Sequence, residues 1–270
     1  MKKIKIGIIG CGAIGSQIAR ACRAELSGAM ELAAICDIDA DKARILNSSL
    51  KESVPVLTTD SLIEKVDLVV EASSAAASPG IVEECVKNRR ACLVMSVGGL
   101  LGREALLEKA AGLGVKIYIP SGALCGIDAL KAASVGKITS VTLTTRKPPK
   151  GLEGAPYLKL KGIDVASVAK ETIIFEGNAE EAVKAFPANV NVSAVLSLAG
   201  IGAKKTVVRI VTSPDYKKNI HEIEIVGDAG RITARTENVP SAANPKTSAL
   251  AIYSAIAALK EIANSVRIGT

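Results

Sequence analysis

Short apolar runs alternate with amphipathic stretches along the first 120 residues. Five runs of mostly Val, Ile, Leu and Cys have the length of a strand: Lys5–Ile9, Leu32–Cys36, Leu68–Val70, Cys92–Val97 and Val115–Ile119. Apolar residues recur at helical spacing in the segments between them: Ile14–Leu26, Asp41–Leu50, Ile81–Lys87 and Arg103–Leu113. Strands that are apolar at nearly every position are typical of a parallel sheet covered by helices on both faces. The pattern therefore predicts a doubly wound α/β domain.

A different pattern begins after Gly126. Five strand-length segments alternate apolar and polar residues: Ile138–Thr145, Thr172–Phe175, Thr206–Thr212, Asn219–Val226 and Arg231–Glu237. Helical spacing is found at three further places: Asp164–Lys170, Ala179–Ala185 and Val192–Ala199. Because alternation indicates a sheet with one face in water, we expect a second α/β domain with a mostly antiparallel, open sheet.

The chain ends in a long apolar-periodic segment that predicts a final helix. We expect it to begin near Pro245, since proline suits a first helical turn, and to run through Ser248–Val266. We expect this helix to pack back on the first domain. The predicted first domain therefore comprises residues 1–122 and about 240–270, and the second comprises about 123–239.

A glycine motif follows the first predicted strand and opens the first helix. Gly10-Cys11-Gly12-Ala13-Ile14-Gly15 matches G-x-G-x-x-G, and Asp37 lies 22 residues further on, after the second strand. In such a motif the first glycine permits a tight turn, the second lets a pyrophosphate approach, and the third lets the helix pack closely. The six residues are predicted to bind a dinucleotide at the helix N-terminus. Asp37 would accept hydrogen bonds from ribose hydroxyls and repel a 2′-phosphate, which favours NAD over NADP.

Small polar residues follow two further strands of the predicted parallel sheet. Ser73 lies beyond Leu68–Val70, and Ser96-Val97 ends the next strand. Ligands of open parallel sheets bind beyond the carboxyl ends of the strands. Ser73, Ser96 and Val97 are therefore predicted to lie near the nicotinamide ribose, the alternative being ordinary loop residues without a ligand.

His221 is the only histidine and the first candidate for acid–base chemistry near neutral pH. Period-two spacing puts it on one face of a strand with Asn219, Ile223 and Ile225. The alternative is a structural histidine on the apolar face of a sheet. Cys125 offers a different chemistry, because a thiol there could attack an aldehyde as in acylating semialdehyde dehydrogenases, with His221 as its base.

Composition and charge exclude several other classes of protein. The formal net charge is +7, but aromatic residues are 2% with no Trp, so base stacking on a nucleic acid has little support. Six cysteines without a C-x-x-C pair and a single histidine argue against a zinc site. No apolar stretch has the ~18 residues of a membrane span, and the first apolar run is too short for a signal peptide. We expect a cytoplasmic protein with reduced cysteines and no nucleic acid, membrane or metal partner.

Several motifs together resemble the L-aspartate dehydrogenase family. They occur in family order along almost the whole chain: Ile9–Gly15, Ser96–Gly99, Gly122-Ala123, Gly126–Leu130, Arg146–Pro148, Phe186–Val192, Ser197–Gly200, Asn219–His221 and Asn244–Ser248. The resemblance implies a Rossmann domain joined to an α/β domain, oxidation of L-aspartate with NAD or NADP, and a role in NAD biosynthesis. It also implies that Ala123 and Asn191 contact the cofactor and that His221 is the active-site residue.

A dicarboxylate substrate requires cations or oriented hydrogen-bond donors. Lys246, Thr247 and Ser248 are predicted to open the final helix, where free N–H groups and the helix dipole add to the lysine charge. Asn189 is a further candidate, as is the Arg146-Lys147 pair, for which a solvated strand end is the alternative. An open antiparallel sheet also predicts a homodimer. The function classes that remain beside an amino-acid dehydrogenase are a semialdehyde or oxo-acid oxidoreductase and a non-catalytic NAD sensor.

Overall fold

The computed structural model of the chain contains two compact units. It describes three stretches of the chain: residues 2–187, 190–241 and 244–269. The first unit comprises Met1–Pro120 and Ile252–Arg267, and the second comprises Ser121–Ala251 and Ile268–Thr270. The chain thus leaves the first unit once and returns to it near its end.

A five-stranded parallel sheet forms the centre of the first unit. Its strands are β1 (Ile4–Ile9), β2 (Met30–Cys36), β3 (Leu68–Glu71), β4 (Ala91–Val94) and β5 (Ile117–Tyr118). The order β2-β1-β3-β4-β5 places β1 and β3 side by side at the centre. All four residues of β3 are buried, as expected for a strand covered on both faces. The predicted doubly wound parallel sheet is confirmed.

Helices connect these strands. They are α1 (Ala13–Arg23), α2 (Ala40–Ser49), α3 (Thr59–Lys65), α4 (Ser78–Lys87) and α5 (Glu104–Gly112). The sequence analysis did not predict α3, although Thr58 caps it by accepting a hydrogen bond from the Ser61 N–H. The strand predicted through Val97 ends at Val94, and a 3₁₀ turn occupies Val97–Leu100.

A second five-stranded sheet forms the centre of the second unit. Its strands are β6 (Ile138–Lys147), β7 (Thr172–Asn178), β8 (Thr206–Thr212), β9 (Asn219–Gly227) and β10 (Gly230–Asn238). In the order β10-β9-β6-β8-β7, only the β6–β8 pair is parallel. Val141, Leu143, Ile223 and Ile225 form part of its buried face. The predicted mostly antiparallel sheet is confirmed.

The helices of the second unit only partly match the sequence pattern. They are α6 (Ile127–Ala133), α7 (Pro156–Lys161), α8 (Ala179–Ala185) and α9 (Val190–Ala199). The helix predicted over Asp164–Lys170 is wrong, because only a 3₁₀ turn at Val165–Ser167 forms there. The Asp164 side chain accepts a hydrogen bond from the Ala166 N–H, which stabilises a turn in competition with a longer helix.

The predicted start of the final helix is also wrong. Residues near Pro245 form a small two-stranded sheet of β11 (Pro240–Ser241) and β12 (Asn244–Ser248). Helix α10 (Ala249–Ala263) begins only after it, where Ser248 Oγ accepts a hydrogen bond from the Leu250 N–H. Residues 240–251 lie in the second compact unit.

Most of helix α10 belongs to the first unit. Its Ala255 and Leu259 are fully buried in the same apolar core as Ile8, Ile18 and Leu93. The helix therefore completes the apolar core of the first unit, as expected. Over the three described stretches, no helix is long and apolar enough to cross a bilayer.

Candidate active site

The turn between β1 and α1 contains two glycines at which any side chain would force neighbouring backbone atoms to move. Gly10 has φ +103°, and a Cβ there would lie 2.3 Å from the carbonyl oxygen of Ala72. A Cβ on Gly15 would lie 1.8 Å from the carbonyl oxygen of Gly10. Because neither glycine has a side chain, the first turn of α1 can lie close to the carboxyl end of β1.

Gly12 differs from the other two glycines because its open side faces no protein atom. A Cβ placed there has nothing within 4 Å among the described residues, and Gly12, Ala13 and Ile14 are all half-buried. Helix α1 begins without a side-chain cap and has no acidic residue in its first turn. This space beside a helix N-terminus fits the pyrophosphate of a dinucleotide.

Asp37 is fixed beside this turn by two backbone hydrogen bonds. The Cys11 N–H donates to Oδ2 at 2.6 Å and the Asp39 N–H donates to Oδ1 at 2.8 Å. Asp37 is half-buried, while Ile38 next to it is fully exposed. The carboxylate is thus held at the end of β2, where the ribose of a bound dinucleotide is expected.

Cys11 has a structural side chain in this turn. The residue is 5% exposed, and its thiol lies 3.6 Å from the Cys36 carbonyl oxygen. Burial, together with the charge of Asp37, raises the pKa of the thiol to about 12. Any contact of Cys11 with a cofactor would therefore use its backbone.

Glu71 links the two loops that carry the predicted ribose-binding serines. It is fully buried at the end of β3 and accepts three hydrogen bonds. Oε1 accepts from the Ser73 N–H at 2.8 Å and from the Ser73 hydroxyl at 2.7 Å, and Oε2 accepts from the Ser96 N–H at 2.9 Å. Ser73 is exposed, Ser96 is buried and Val97 is 2% exposed, so Val97 chiefly packs in the core.

We expect Glu71→Gln to weaken NAD binding and to lower the free energy of unfolding by about 1–3 kcal/mol. An amide has only one accepting oxygen, so at least one N–H donor of the Ser73 and Ser96 loops would lose its partner. Calorimetric titration with NAD and thermal unfolding would measure the two effects. Ser73→Ala is the matched control, because it removes one hydrogen bond and leaves the Ser96 N–H paired. Wild-type values in Glu71→Gln would show that the carboxylate has no positioning role.

His221 lies on the buried face of the second sheet, as the period-two spacing predicted. It is 6% exposed, and the register places it between Thr145 on β6 and Thr236 on β10. Its Nδ1 lies 3.1 Å from the Thr145 hydroxyl oxygen. Burial and, secondarily, the positive charge of Lys147 lower the pKa of the imidazole to about 3. The ring is therefore neutral at neutral pH, and its surroundings oppose its protonation in the free protein.

A hydrogen-bond network joins the His221 strand to the segments around Ala123 and Ser248. Asn238 is 4% exposed, and its amide donates to the Ala123 carbonyl at 3.1 Å and accepts from the Ser248 hydroxyl at 2.7 Å. The Thr236 hydroxyl donates to the same Ala123 carbonyl at 3.1 Å. The structure thus brings together three predicted site residues, Ala123, His221 and Ser248, through Thr236 and Asn238.

The other predicted site residues have more varied positions. Asn191 is exposed on α9, and Thr247 is half-buried on β12. Asn189 lies outside the described residues, as does the side chain of Lys246. The expectation that Lys246, Thr247 and Ser248 open the final helix holds only for Ser248, which caps α10, because all three residues belong to strand β12.

Cys125 is half-buried and reduced, two residues after Ala123. A thiol nucleophile would also require a base, for which His221 is the candidate. Among the described residues, no group of three His, Cys, Asp or Glu side chains has the arrangement of a metal site. Chemistry at Cys125 stays the alternative to chemistry centred on His221.

The sequence analysis missed Glu71, Thr236 and Asn238. The signal for Glu71 was a charged residue that directly continues a strand buried on both faces. The signal for Thr236 and Asn238 was period-two spacing, because both continue the inward positions of Ile232 and Ala234. Polar residues at inward positions need hydrogen-bond partners, and here those partners belong to the candidate site.

Comparison with known proteins accounts for both units. Residues 10–120 match a family profile described as homoserine dehydrogenase, NAD binding domain, and residues 128–262 match one described as aspartate dehydrogenase, C-terminal. An L-aspartate dehydrogenase of Methanosarcina mazei is 51% identical over 273 residues, covering 99% of this chain and 100% of the relative. The chain belongs to the aspartate dehydrogenase family.

Membership of the aspartate dehydrogenase family extends to more distant relatives. An L-aspartate dehydrogenase of Bradyrhizobium diazoefficiens is 40% identical and covers 99% of this chain and 95% of its own. The crystal structure of an aspartate dehydrogenase from Thermotoga maritima matches with a TM-score of 0.76 at 26% identity, over 99% of this chain and 100% of the other. The predicted resemblance to the aspartate dehydrogenase family is confirmed along the whole chain, both units included.

Proposed function

We propose that this protein is an NAD(P)-dependent L-aspartate dehydrogenase. It oxidises the amine-bearing carbon of L-aspartate, and the product iminoaspartate either hydrolyses to oxaloacetate and ammonia or feeds NAD biosynthesis. The observation that carries the proposal is the full-length identity of 51% with the L-aspartate dehydrogenase of Methanosarcina mazei. The glycine turn and the neutral His221 supply the two chemical requirements of such a reaction.

The first unit supplies most of the cofactor contacts in this proposal. The pyrophosphate would be held at the open side of Gly12 by the N-terminal N–H groups of α1, and the adenosine ribose by Asp37. Ser73 and Ser96 are proposed contacts near the nicotinamide, as are Ala123 and Asn191 of the second unit. The bound cofactor would supply the hydride acceptor.

His221 is the proposed general base. For this role Nδ1–H donates to the Thr145 hydroxyl oxygen, which leaves Nε2 free to accept a proton. The imidazole would then take a proton from the water that attacks the imine carbon, and the carbinolamine formed would release ammonia. Thr145 positions the ring and selects its tautomer. Thr247, Ser248, Lys246 and Asn189 remain proposed substrate contacts.

Asp37 is expected to make the enzyme prefer NAD over NADP. A 2′-phosphate would meet the carboxylate that the Cys11 and Asp39 N–H groups fix in place, and the adjacent Ile38 offers no positive charge. The double variant Asp37→Ser, Ile38→Arg is expected to raise the NADP-to-NAD ratio of kcat/KM by ~10-fold or more, because arginine pairs well with phosphate. Steady-state kinetics with each cofactor would measure it. Ile38→Arg alone is the control, and an unchanged ratio in the double variant would contradict the role of Asp37.

The test of the proposed function is the absorbance of reduced nicotinamide with NAD and four substrates: L-aspartate, D-aspartate, L-glutamate and aspartate semialdehyde. We expect a signal with L-aspartate alone. Turnover of the semialdehyde alone, together with iodoacetamide inactivation that substrate prevents, would instead indicate chemistry at Cys125. NAD binding without any turnover would indicate a sensor.

The assembly and the cellular location stay predictions. The second sheet ends in the edge strands β10 and β7, which could pair with a second copy of the chain. We propose a homodimer, and light scattering of the purified protein would measure its mass. We propose the cytoplasm as its location, and fractionation of cells would test it.

A further inference from the structure

Two adjacent cations at the end of β6 have different surroundings. Side chains alternate along a strand, so Arg146 and Lys147 point to opposite faces of the second sheet. Arg146 Nη1 lies 3.6 Å from Glu222 Oε2. Arg146 therefore lies beside an acidic residue on the face away from His221.

Lys147 lies on the His221 face. The register pairs Thr145 with His221, and Lys147 is two residues beyond Thr145 on the same side of the sheet. Lys147 is half-buried, and its positive charge acts on the His221 imidazole. Burial lowers the pKa of Lys147 to about 8, so the side chain is still mostly an ammonium at neutral pH.

The neighbours of Lys147 in the sheet register are polar but uncharged. It pairs with Thr212 on β8, and on β9 Asn219 directly precedes Ile220, the partner of Arg146. Asn219 in turn pairs with Asn238, the residue that binds the Ala123 carbonyl and the Ser248 hydroxyl. A cation thus lies at the end of a row of hydroxyl and amide groups that leads to the predicted site residues.

We propose that Lys147 binds a carboxylate of L-aspartate and thereby holds the substrate beside His221. This inference rests on the proposed function and assigns a residue to its substrate specificity. A partly desolvated ammonium attracts a carboxylate more strongly than an exposed one does, because water screens the pair less. A substrate with two carboxylates meets this requirement, whereas a neutral amino-acid side chain would meet it only through its α-carboxylate.

Substrate binding at Lys147 would also change the imidazole. The ammonium charge disfavours a proton on His221, and a carboxylate placed on the ammonium would offset that charge. His221 would then accept a proton more readily in the substrate complex than in the free enzyme. The base would be strengthened at the point in the cycle where it acts.

The test compares Lys147→Gln with Arg146→Gln, a matched change at the neighbouring position on the opposite face. We expect Lys147→Gln to raise the KM for L-aspartate and the inhibition constant of succinate, an unreactive dicarboxylate, by ~10–100-fold each. Arg146→Gln is expected to leave both constants within about threefold of the wild-type values, since the guanidinium lies beside Glu222 on the opposite face of the sheet. Lys147→Met, which keeps the aliphatic stem, should behave like Lys147→Gln. An unchanged dissociation constant for NAD would show that the variants are folded.

Three outcomes would overturn the inference. Unchanged KM and succinate inhibition in both Lys147 variants would show that Lys147 does not contact a carboxylate. Equal increases of KM and of the succinate inhibition constant in Lys147→Gln and Arg146→Gln would show that the two cations act through their overall charge and not through a contact on one face. Failure of the wild-type enzyme to oxidise L-aspartate would refute the proposed function, and the assignment of Lys147 would fall with it.

Discussion

Replacing His221 with alanine is expected to lower kcat for L-aspartate oxidation by about 10²–10⁴-fold, the usual loss for a general base. The imidazole is the only one in the chain, it is held at Nδ1 by Thr145, and it is neutral at neutral pH. The NAD dissociation constant should stay close to the wild-type value, because the glycine turn and Asp37 belong to the first unit. Steady-state kinetics and a separate NAD titration would measure the two effects.

Controls for this prediction separate catalysis from folding. His221 is 6% exposed, so alanine leaves a cavity and thermal unfolding of the variant must be recorded. His221→Asn fills more of that space without supplying a base and should show the same loss of kcat. Thr145→Val removes the partner of Nδ1 and is expected to give a smaller loss. A wild-type kcat in both His221 variants would remove the imidazole from the mechanism.

Replacing Gly12 with valine is expected to raise the NAD dissociation constant by about 100-fold or more, since the pyrophosphate would lose hydrogen bonds of ~1.5–3 kcal/mol each. The side chain would fill the space at the helix N-terminus in which no protein atom lies within 4 Å of a Cβ. Its backbone is extended, with φ −71° and ψ −165°, which valine adopts without strain. The melting temperature should therefore stay near the wild-type value. Calorimetric titration and thermal unfolding would measure both.

Gly15→Ala is the matched control within the same turn. Its Cβ would lie 1.8 Å from the Gly10 carbonyl oxygen, so the first turn of α1 would have to shift. We expect this variant to lose stability as well as NAD affinity, whereas Gly12→Val loses affinity alone. Wild-type NAD affinity in Gly12→Val would mean that the dinucleotide does not bind at this turn.

Regular hydrophobic spacing predicted most of the fold. The five apolar runs of the first 120 residues are the five parallel strands, and the alternating runs after Gly126 are the strands of the second sheet. Thr206–Thr212 and Ala179–Ala185 were predicted with the bounds that the structure has. These segments succeed because burial on one or both faces decides their conformation, and burial leaves a direct trace in the sequence.

The errors occur where a local polar contact decides the conformation. Asp164 stabilises a turn where spacing predicted a helix, and Pro245 lies in a strand instead of a first helical turn. Proline at a helix start and proline at a strand edge look alike in sequence, because neither position requires a backbone N–H donor. The cap of α10 was instead Ser248, whose hydroxyl binds both Asn238 and the Leu250 N–H.

The candidate site was predictable only in its chemically distinctive parts. The glycine motif, Asp37 and His221 are recognisable from residue type and spacing. Glu71 and Asn238 act by joining segments that are far apart in sequence, and those pairings exist only in the folded units. The difference between Arg146 and Lys147 likewise depends on which face of the sheet each one occupies.

Helix α10 affects the order in which the chain can fold during synthesis. Its Ala255 and Leu259 are fully buried in the core of the first unit, yet they are made only after residues 121–251 have been translated. The NAD-binding unit therefore cannot close its core while the second unit is still being synthesised, unlike a domain that folds as soon as it leaves the ribosome. A nascent chain would expose the apolar surface that α10 covers throughout that interval. Chaperones that bind apolar segments would have the most time to bind this surface during that interval.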